Sequence, residues 1–533
     1  MIKADFISNK GFKWFNEKNI FVKGFLFDSD QRYFENENVI KYFDDIKTEK
    51  DFIKKISSAN GLFTVFIQIS ENKFLFANDI IRSCPIFYSI KDQNIFISDD
   101  YNTILKKINK VEINELSEAE FKSAGFVSGH NTLINEINVT QAGEYIIYND
   151  EKIQIKSYFD YSISASSSLD YSELMPKSKK IFDQTFERLV KSLNNRMAVV
   201  PLSGGLDSRL IACKLKEHNY SNVLCYTFGN STDNFEKEIS EKVAKELGFK
   251  WTFIKYNSET IGEYLKDEKF LEYYKFYSKY SSSFMFQDYF ALKFLKENKI
   301  ISDDAIFIPG YSGDFLGGSQ LYKNGGIKLK ASINQIAQKI VENRYIHTKI
   351  SAKNKKEINN KIKLQLSESI KNRNNLYAYS IFENWEIKEN LSKFIAQAAH
   401  IYQFFGYEFR FPYWDKELVD FFKNVPYRYK YGKILYNKTL SDYFNNYNIN
   451  FDSGKDLSPR KFKYFKFKQK VKKIIPKRLL RNLSKPSDYL NYSLVLKEIK
   501  AELRLKRDFD ENEIQTQNAY LAHWYLKQIK SNL

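Results

Sequence analysis

Cysteine and histidine are scarce in this chain. Its 533 residues hold three cysteines, Cys84, Cys213 and Cys225, and five histidines, His130, His218, His347, His400 and His523, all far apart. Cysteines so scattered exclude a disulfide framework and a CxxC metal site. Dispersed histidines argue against a zinc enzyme and a Ser/His/Asp hydrolase, and each is read as structural. Long hydrophobic runs are missing too. None approaches the roughly 18 residues of a membrane span, and Met1-Ile2-Lys3-Ala4-Asp5 opens no signal peptide, so a cytoplasmic protein is expected. Acid is in deficit: 83 Lys+Arg against 65 Asp+Glu leave a net charge of +18. That balance favours an anionic partner, whether a nucleotide, a nucleic acid or an acidic membrane surface.

The length predicts two or three domains, and a hydrophobic content of 43% is ample for their cores. From Phe21 to about Tyr161 the pattern is one of short, aromatic-rich strands. Phe63–Ile67 and Lys73–Ala77 read as an antiparallel hairpin, Ile95–Ser98 continues the series, and Gly125–Val127 and Gly143–Ile147 complete a layered, mostly β module. Ser162–Ser168 reads as a linker. After it the period changes, with helix 178–193, strand 197–202, strand 223–228, helix 236–247, strand 251–256, a helical stretch near 287–296 and strand 306–309. Alternation at this spacing predicts a parallel sheet with helices on both faces, whose ligands bind at the carboxyl ends of the strands. The last 200 or so residues read as mainly helical, interrupted by Gly406-Tyr-Glu-Phe-Arg-Phe-Pro-Tyr-Trp-Asp415 and by a basic, aromatic segment from Arg460 to Lys485.

Pro201-Leu202-Ser203-Gly204-Gly205-Leu206-Asp207-Ser208-Arg209 joins the strand at 197–202 to a helix carrying Leu210, Ile211 and Leu215. A Gly-rich turn entering a helix N-terminus converges backbone N–H groups and the helix dipole on one point, which suits phosphate. Gly204 and Gly205 allow close backbone approach, and the Ser203 and Ser208 hydroxyls can donate to phosphate oxygens. Asp207 is then expected to bind a metal, since a carboxylate beside pyrophosphate needs a cation such as Mg²⁺ between them. The spacing lacks the GxxxxGK[ST] of a Walker loop. SGGxDS is instead the signature of the PP-loop ATP pyrophosphatases.

Taken over nearly its whole length, the chain resembles the asparagine synthetase family. Asp79-Ile-Ile-Arg-Ser-Cys-Pro-Ile-Phe-Tyr88 is similar to the family's glutaminase segment ending P-L-Y-Y, and Gly143 with Ser157-Tyr158-Phe159 resembles its PG…YW end. Gly310-Tyr-Ser-Gly-Asp-Phe-Leu-Gly-Gly318 looks like the second pyrophosphate loop, GEGSDEVFGG, shortened by one residue, and Gly406–Asp415 resembles GVEARVPFLD. The resemblance implies an α/β protein. A layered, mostly β, Ntn-hydrolase-like glutaminase domain at 1–165 precedes a PP-loop adenine-nucleotide hydrolase-like synthetase domain at 170–533, whose parallel α/β part leads into a helical C-terminal part. It further implies an ATP-dependent ligase that adenylates a small carboxylate, transfers ammonia or an amine to it, and releases AMP and pyrophosphate. Asp207 and Asp314 would share Mg²⁺, Ser203, Gly204, Gly205, Ser208 and Gly310 would hold ATP and its pyrophosphate, and Leu202 with the strand end at Tyr226, Thr227 and Phe228 would contact adenosine. A cation near the leaving group is assigned to Lys461, with Lys463 next in line.

Two departures stand out. The family's glutaminase uses an N-terminal cysteine; here position 2 is Ile2, and no cysteine precedes Cys84. Isoleucine cannot replace a thiol nucleophile, so the N-terminal domain is expected to be inert toward glutamine. The second loop carries Tyr311 where the ammonia-using enzymes have a glutamate, as in β-lactam synthetases, where a Tyr/Glu pair deprotonates an amine. Tyr311 is read either as such a base, paired with Glu383, Glu386 or Glu389, or as a packing residue against ATP or substrate. Ser281-Ser282-Ser283 is read as a loop or as hydroxyls for an acidic substrate, and Glu408 with Arg410 as a structural ion pair in preference to ligands. Two other functions compete: a PP-loop enzyme modifying RNA, which lacks support from any CxxC pair, and a non-catalytic partner of a biosynthetic complex, which would have no use for SGGLDS. Nucleic acid is disfavoured, while the segment 460–485 suits an anionic membrane surface, a biosynthetic complex or a solvated helical face.

Overall fold

The computed structural model describes residues 2–91, 94–108, 111–231, 234–261, 267–278, 280–283, 285–322, 327, 329–451, 488, 490–505 and 509–532. Eleven strands form the N-terminal part: β1 (Ile2–Asp5), β2 (Trp14–Glu17), β3 (Ile20–Phe27), β4 (Tyr33–Glu35), β5 (Asn60–Ser70), β6 (Lys73–Asn78), β7 (Phe87–Lys91), β8 (Asn94–Ser98), β9 (Asn138–Val139), β10 (Glu144–Asn149) and β11 (Lys152–Ser157). One antiparallel sheet runs β11-β10-β6-β5-β3-β2, with β4 also on β3, and a smaller sheet runs β1-β8-β7-β9. The expected hairpin is β5 and β6, with Phe66 opposite Phe76.

Period-2 alternation assigns each face. Val65 and Ile67 of β5, Leu75 and Ala77 of β6, and Tyr145 and Ile147 of β10 pack with Val39, Phe43, Phe52 and Ile56 of two covering helices. Their neighbours Phe66, Phe74, Phe76, Ile146 and Tyr148 face Ile86, Tyr88, Ile95 and Ile97 of the smaller sheet. The result is sheet on sheet with helices outside. Phe74 and Tyr148 stack at 4.7 Å between centroids, which is where the aromatic richness of this region is spent.

Ser162–Ser168, polar enough to read as a linker, is held along its length. The Ile163 amide donates to Ser380 Oγ at 3.0 Å, the Ile163 carbonyl accepts from Tyr377 N at 2.9 Å, and Ser167 N donates to Asn424 O at 2.8 Å. The helix that follows begins earlier than its apolar pattern predicts, at Tyr171, because Asp170 and Glu173 form a reciprocal capping box that starts it.

Five strands make the third sheet of the described residues: β12 (Ala198–Pro201), β13 (Val223–Gly229), β14 (Lys250–Lys255), β15 (Ile306–Phe307) and β16 (Glu408–Phe409). All pair in parallel, in the order β14-β13-β12-β15-β16. Ala198, Val199 and Val200 are fully buried, as a central parallel strand covered on both faces requires. Strand order reverses beside β12: the chain first builds outward through β13 and β14, then returns to add β15 and β16 on the other side. A crevice opens at such a switch point, at the carboxyl ends of the strands.

Candidate active site

That crevice is a cleft of about 670 Å³, lined by Leu202, Ser203, Gly205, Asp207, Ser208, Thr227, Phe228, Gly310, Tyr311 and Asp314 among others. Ten predicted site residues from three separate loops therefore meet in one space. Gly204 is buried and turned toward Phe235, Glu236 and Ile239 of the next helix. Lys461, Lys463 and the whole segment 460–485 lie outside the described residues.

The loop after β12 is braced internally. Ser203 and Ser208 hydroxyls lie 3.0 Å apart, Ser203 N donates to Ser208 Oγ at 3.1 Å, and Gly205 N donates to Ser203 Oγ at 3.2 Å. Arg209, fully buried, donates from Nη1 to the carbonyls of Ile449 and Phe451 and from Nη2 to the Gly204 carbonyl, tying the loop to the helical C-terminal part. At the neighbouring strand end, Thr227 Oγ1 donates to the Leu202 carbonyl and to Ser240 Oγ. Phe228 stacks on Tyr256 at 4.9 Å, which presents an aromatic wall beside the strand ends.

Asp207 and Asp314 are brought together by backbone contact. Asp207 Oδ2 accepts from Asp314 N at 2.8 Å, and Oδ1 accepts from the Tyr436 hydroxyl at 2.8 Å. Tyr413 donates to the Asp207 carbonyl at 2.7 Å. Such closeness demands glycine at two places: a Cβ on Gly310 would come within 2.7 Å of Ser208 N, and one on Gly313 within 2.6 Å of Asp207 Cγ. Desolvation and the neighbouring Asp314 carboxylate push Asp207 up to about 7, against the Tyr436 hydroxyl, the Asp314 amide and the charge of Lys433. Two carboxylates in this relation suit a divalent cation. Among the described residues no group of three or more His, Cys, Asp or Glu side chains gathers to bind metal.

Tyr311 also stands in the cleft, but its surroundings keep the phenol protonated: desolvation and the charge of Asp288 move it far above the ordinary tyrosine range. The three glutamates considered as its partner are engaged elsewhere. Glu383 pairs with Lys430 at 2.7 Å, Glu386 with Arg344 at 2.6 Å, and Glu389 with Lys393 at 2.6 Å. Of the carboxylates lining the cleft, the one whose charge acts on Tyr311 is Asp288, which desolvation pushes up to about 7. Among the described residues, Lys433 is the cation that lines the cleft. It follows Gly432 at the start of helix Ile434–Asn445, and both residues adopt positive φ, 75° and 60°. Neither Asp288 nor Lys433 belongs to a recognisable motif; the only trace of Lys433 in the sequence is the Gly-Lys turn before a helix.

The remaining candidates sit outside the cleft. Ser281, Ser282 and Ser283 are buried, where Ser283 N donates to Gly125 O at 2.7 Å and Val127 N donates to Ser281 O at 2.9 Å. Arg410 donates to Glu408 at 2.9 Å and lies 4.0 Å from the centroid of the Phe25 ring, a structural role joining β16 to the N-terminal sheet.

The sequence model of asparagine synthase matches residues 184–526, well over half of the chain and including every loop of this cleft. The chain belongs to the asparagine synthase family. The microcin J25-processing protein McjC of Escherichia coli is 24% identical over 202 residues, or 38% of this chain and 37% of that protein. The glutamine-hydrolyzing asparagine synthetase 1 of Bacillus subtilis (strain 168) is 23% identical over 235 residues, 43% of this chain and 34% of that protein. The matched region thus spans little more than a third of either relative. Among solved structures, an NH3-dependent NAD synthetase from Campylobacter jejuni aligns with 38% of this chain and 96% of its own, at 14% identity and a TM-score of 0.20.

Proposed function

We propose that this family member is an ATP-dependent amide-forming ligase. A carboxylate oxygen attacks the α-phosphorus of ATP, the bond to pyrophosphate breaks, and an acyl-adenylate forms. The nitrogen of ammonia or an amine then attacks the acyl carbon, AMP leaves with the bonding electron pair, and the nitrogen gives up a proton. The observation that carries this reading is the meeting of the Ser203–Ser208 loop with Asp207 and Asp314 in one cleft at the switch point of a parallel sheet.

Asp207 and Asp314 would hold Mg²⁺. When bound, that ion neutralises charge gathering on the departing pyrophosphate. The Gly205 amide and the Ser203 and Ser208 hydroxyls exchange their internal hydrogen bonds for phosphate oxygens, and Lys433 adds positive charge to the same space. The Tyr436 hydroxyl and the Asp314 amide hold the Asp207 carboxylate in one orientation. Tyr311, protonated, donates a hydrogen bond, while Asp288 is the group whose range suits it to accept the proton from an attacking amine. The nitrogen donor in this reading is ammonia or an amine.

Pyrophosphate release from Mg²⁺-ATP, screened over carboxylic acids with ammonia or simple amines beside Asp207→Ala, tests the reading. Acid-dependent release that disappears in the variant is expected. Failure of the wild-type chain to bind Mg²⁺-ATP would sink it.

A further inference from the structure

Asp314 stands in a shared wall. On its far side from the nucleotide cleft lies a second chamber of about 290 Å³, and Asp314 lines both spaces. A carboxylate that attacks the α-phosphate beside Asp207 and Asp314 needs room for the rest of its molecule, and the chamber adjoins that point.

The chamber's lining mixes apolar side chains with uncharged hydrogen-bonding groups. Ser312 contributes a hydroxyl that is buried and has no hydrogen-bond partner among the described residues. It is held there by a left-handed backbone, φ 72°, which is unfavourable for serine and so marks a position where the surroundings dictate conformation. Asn343 and Asn390 bring two side-chain amides with no hydrogen-bond partner among the described residues. Gln320 adds a third, its oxygen accepting from Arg344 Nη2 at 2.8 Å, which leaves its NH₂ as donor. Arg344 is already neutralised, donating to both oxygens of Glu386 at 2.7 and 2.6 Å. Phe394 adds an aromatic surface from the π-helix Ile387–Ile395, which also carries Asn390; such widened helices are frequent at functional sites.

We propose that this chamber seats the acyl substrate, and that the substrate is a polyhydroxylated carboxylic acid the size of a single uronic acid. Asn343 and Asn390 each offer a donor and an acceptor and Gln320 adds a donor, the complement of hydroxyls that both donate and accept, so these amides and the serine match vicinal hydroxyls in a ring. The Phe394 ring gives an apolar face for the C–H side of such a ring. An amino acid such as aspartate would bring a second carboxylate into a space where Arg344 is already paired with Glu386 and Asp314 is itself a carboxylate, and unmatched negative charge there is costly. The inference rests on the ligase reading.

Calorimetric titration of the full chain with D-glucuronate and D-galacturonate, in Mg²⁺ and a non-hydrolysable ATP analogue, tests it. One of the two is expected to bind, with affinity falling at least 10-fold in Asn390→Leu and in Asn343→Leu while analogue affinity stays within about twofold of wild type. Asn343 is partly exposed on a different helix, so its variant stands if Asn390→Leu does not fold. Absence of uronate binding by a chain that still binds the analogue would overturn the proposal and leave the ligase standing. Binding of aspartate, or of a peptide carboxylate, that is lost in the same two variants would overturn the substrate class. Binding of uronate unchanged in both variants would overturn the chamber as its seat, and a chain that binds no nucleotide would remove the ligase reading and this proposal with it.

Discussion

The Tyr436 hydroxyl donates to Asp207 Oδ1 at 2.8 Å, across 229 residues of sequence, while the other carboxylate oxygen takes the Asp314 amide. A carboxylate gripped on both oxygens presents its remaining lone pairs in one direction, and partners of this kind govern metal affinity. Tyr436→Phe is expected to raise the Mg²⁺ concentration needed for half-maximal pyrophosphate release by about 10-fold or more, with little change in folding. A Mg²⁺ titration of the variant checks this, and an unchanged midpoint would refute the positioning role.

Gly313 should tolerate no side chain. Its Cβ would meet Tyr436 Oη at 2.5 Å and Asp207 Oδ2 at 2.7 Å, so Gly313→Ala must separate the two aspartates or displace the tyrosine. Overpacking of this sort costs about 1–3 kcal/mol, which a chain of this size can absorb. Pyrophosphate release should fall by about 100-fold or more while circular dichroism stays native; activity near wild type would show that the spacing is not needed.

Asp288 predicts a pH dependence. Its folded-state value, about 7, lies above an unfolded value near ~4, so the folded chain binds the proton more tightly. Stability from this group is therefore greatest below pH ~4, falls as pH rises through ~4 to 7, and is flat above. Asp288→Asn mimics the protonated acid. Its melting temperature should match wild type near pH 4 and exceed it above pH 7, by the equivalent of about 4 kcal/mol. A constant difference across pH, or one that grows on acidification, would contradict the assignment. In activity assays the same variant should lose the amide-forming step more than acyl-adenylate formation.

Arg410 is 1% exposed, pairs with Glu408 and donates to both the hydroxyl and the carbonyl of Ser192, so its removal deletes several buried charge-assisted hydrogen bonds at once. Arg410→Ala is expected to lower unfolding free energy by about 3 kcal/mol, read as a shift in urea midpoint. Affinity for Mg²⁺-ATP should stay near wild type in the folded fraction, and a selective loss of substrate binding would point instead to a ligand role.

The candidate cleft was legible to the extent that its chemistry is local. Ser203–Ser208 and Gly310–Asp314 are short runs in which residue type answers directly to backbone geometry and phosphate, so both could be placed at strand ends before their meeting was known. Tyr436 and Asp288 left no such trace, because a single tyrosine or aspartate outside any motif has nothing to distinguish it. Tyr311 shows the limit from the other side. Its position was found, but its partner was sought among Glu383, Glu386 and Glu389, each of which the packing commits to a cation.

By itself the sequence determined which segments become strands and helices, because periodicity of two or 3.6 decides which face meets the core. It also determined where a phosphate-binding turn would form, through glycine and serine at fixed spacing, and that no cysteine stands near the start of the chain. Only the tertiary structure decided that Asp207 and Asp314 share a hydrogen bond, that Asp288 and not a glutamate faces Tyr311, and that Asp314 divides two chambers. Those relations depend on contacts between residues far apart in the chain, and they are set by the order in which parallel strands add to either side of β12, a property of the whole sheet that no local run of residues encodes.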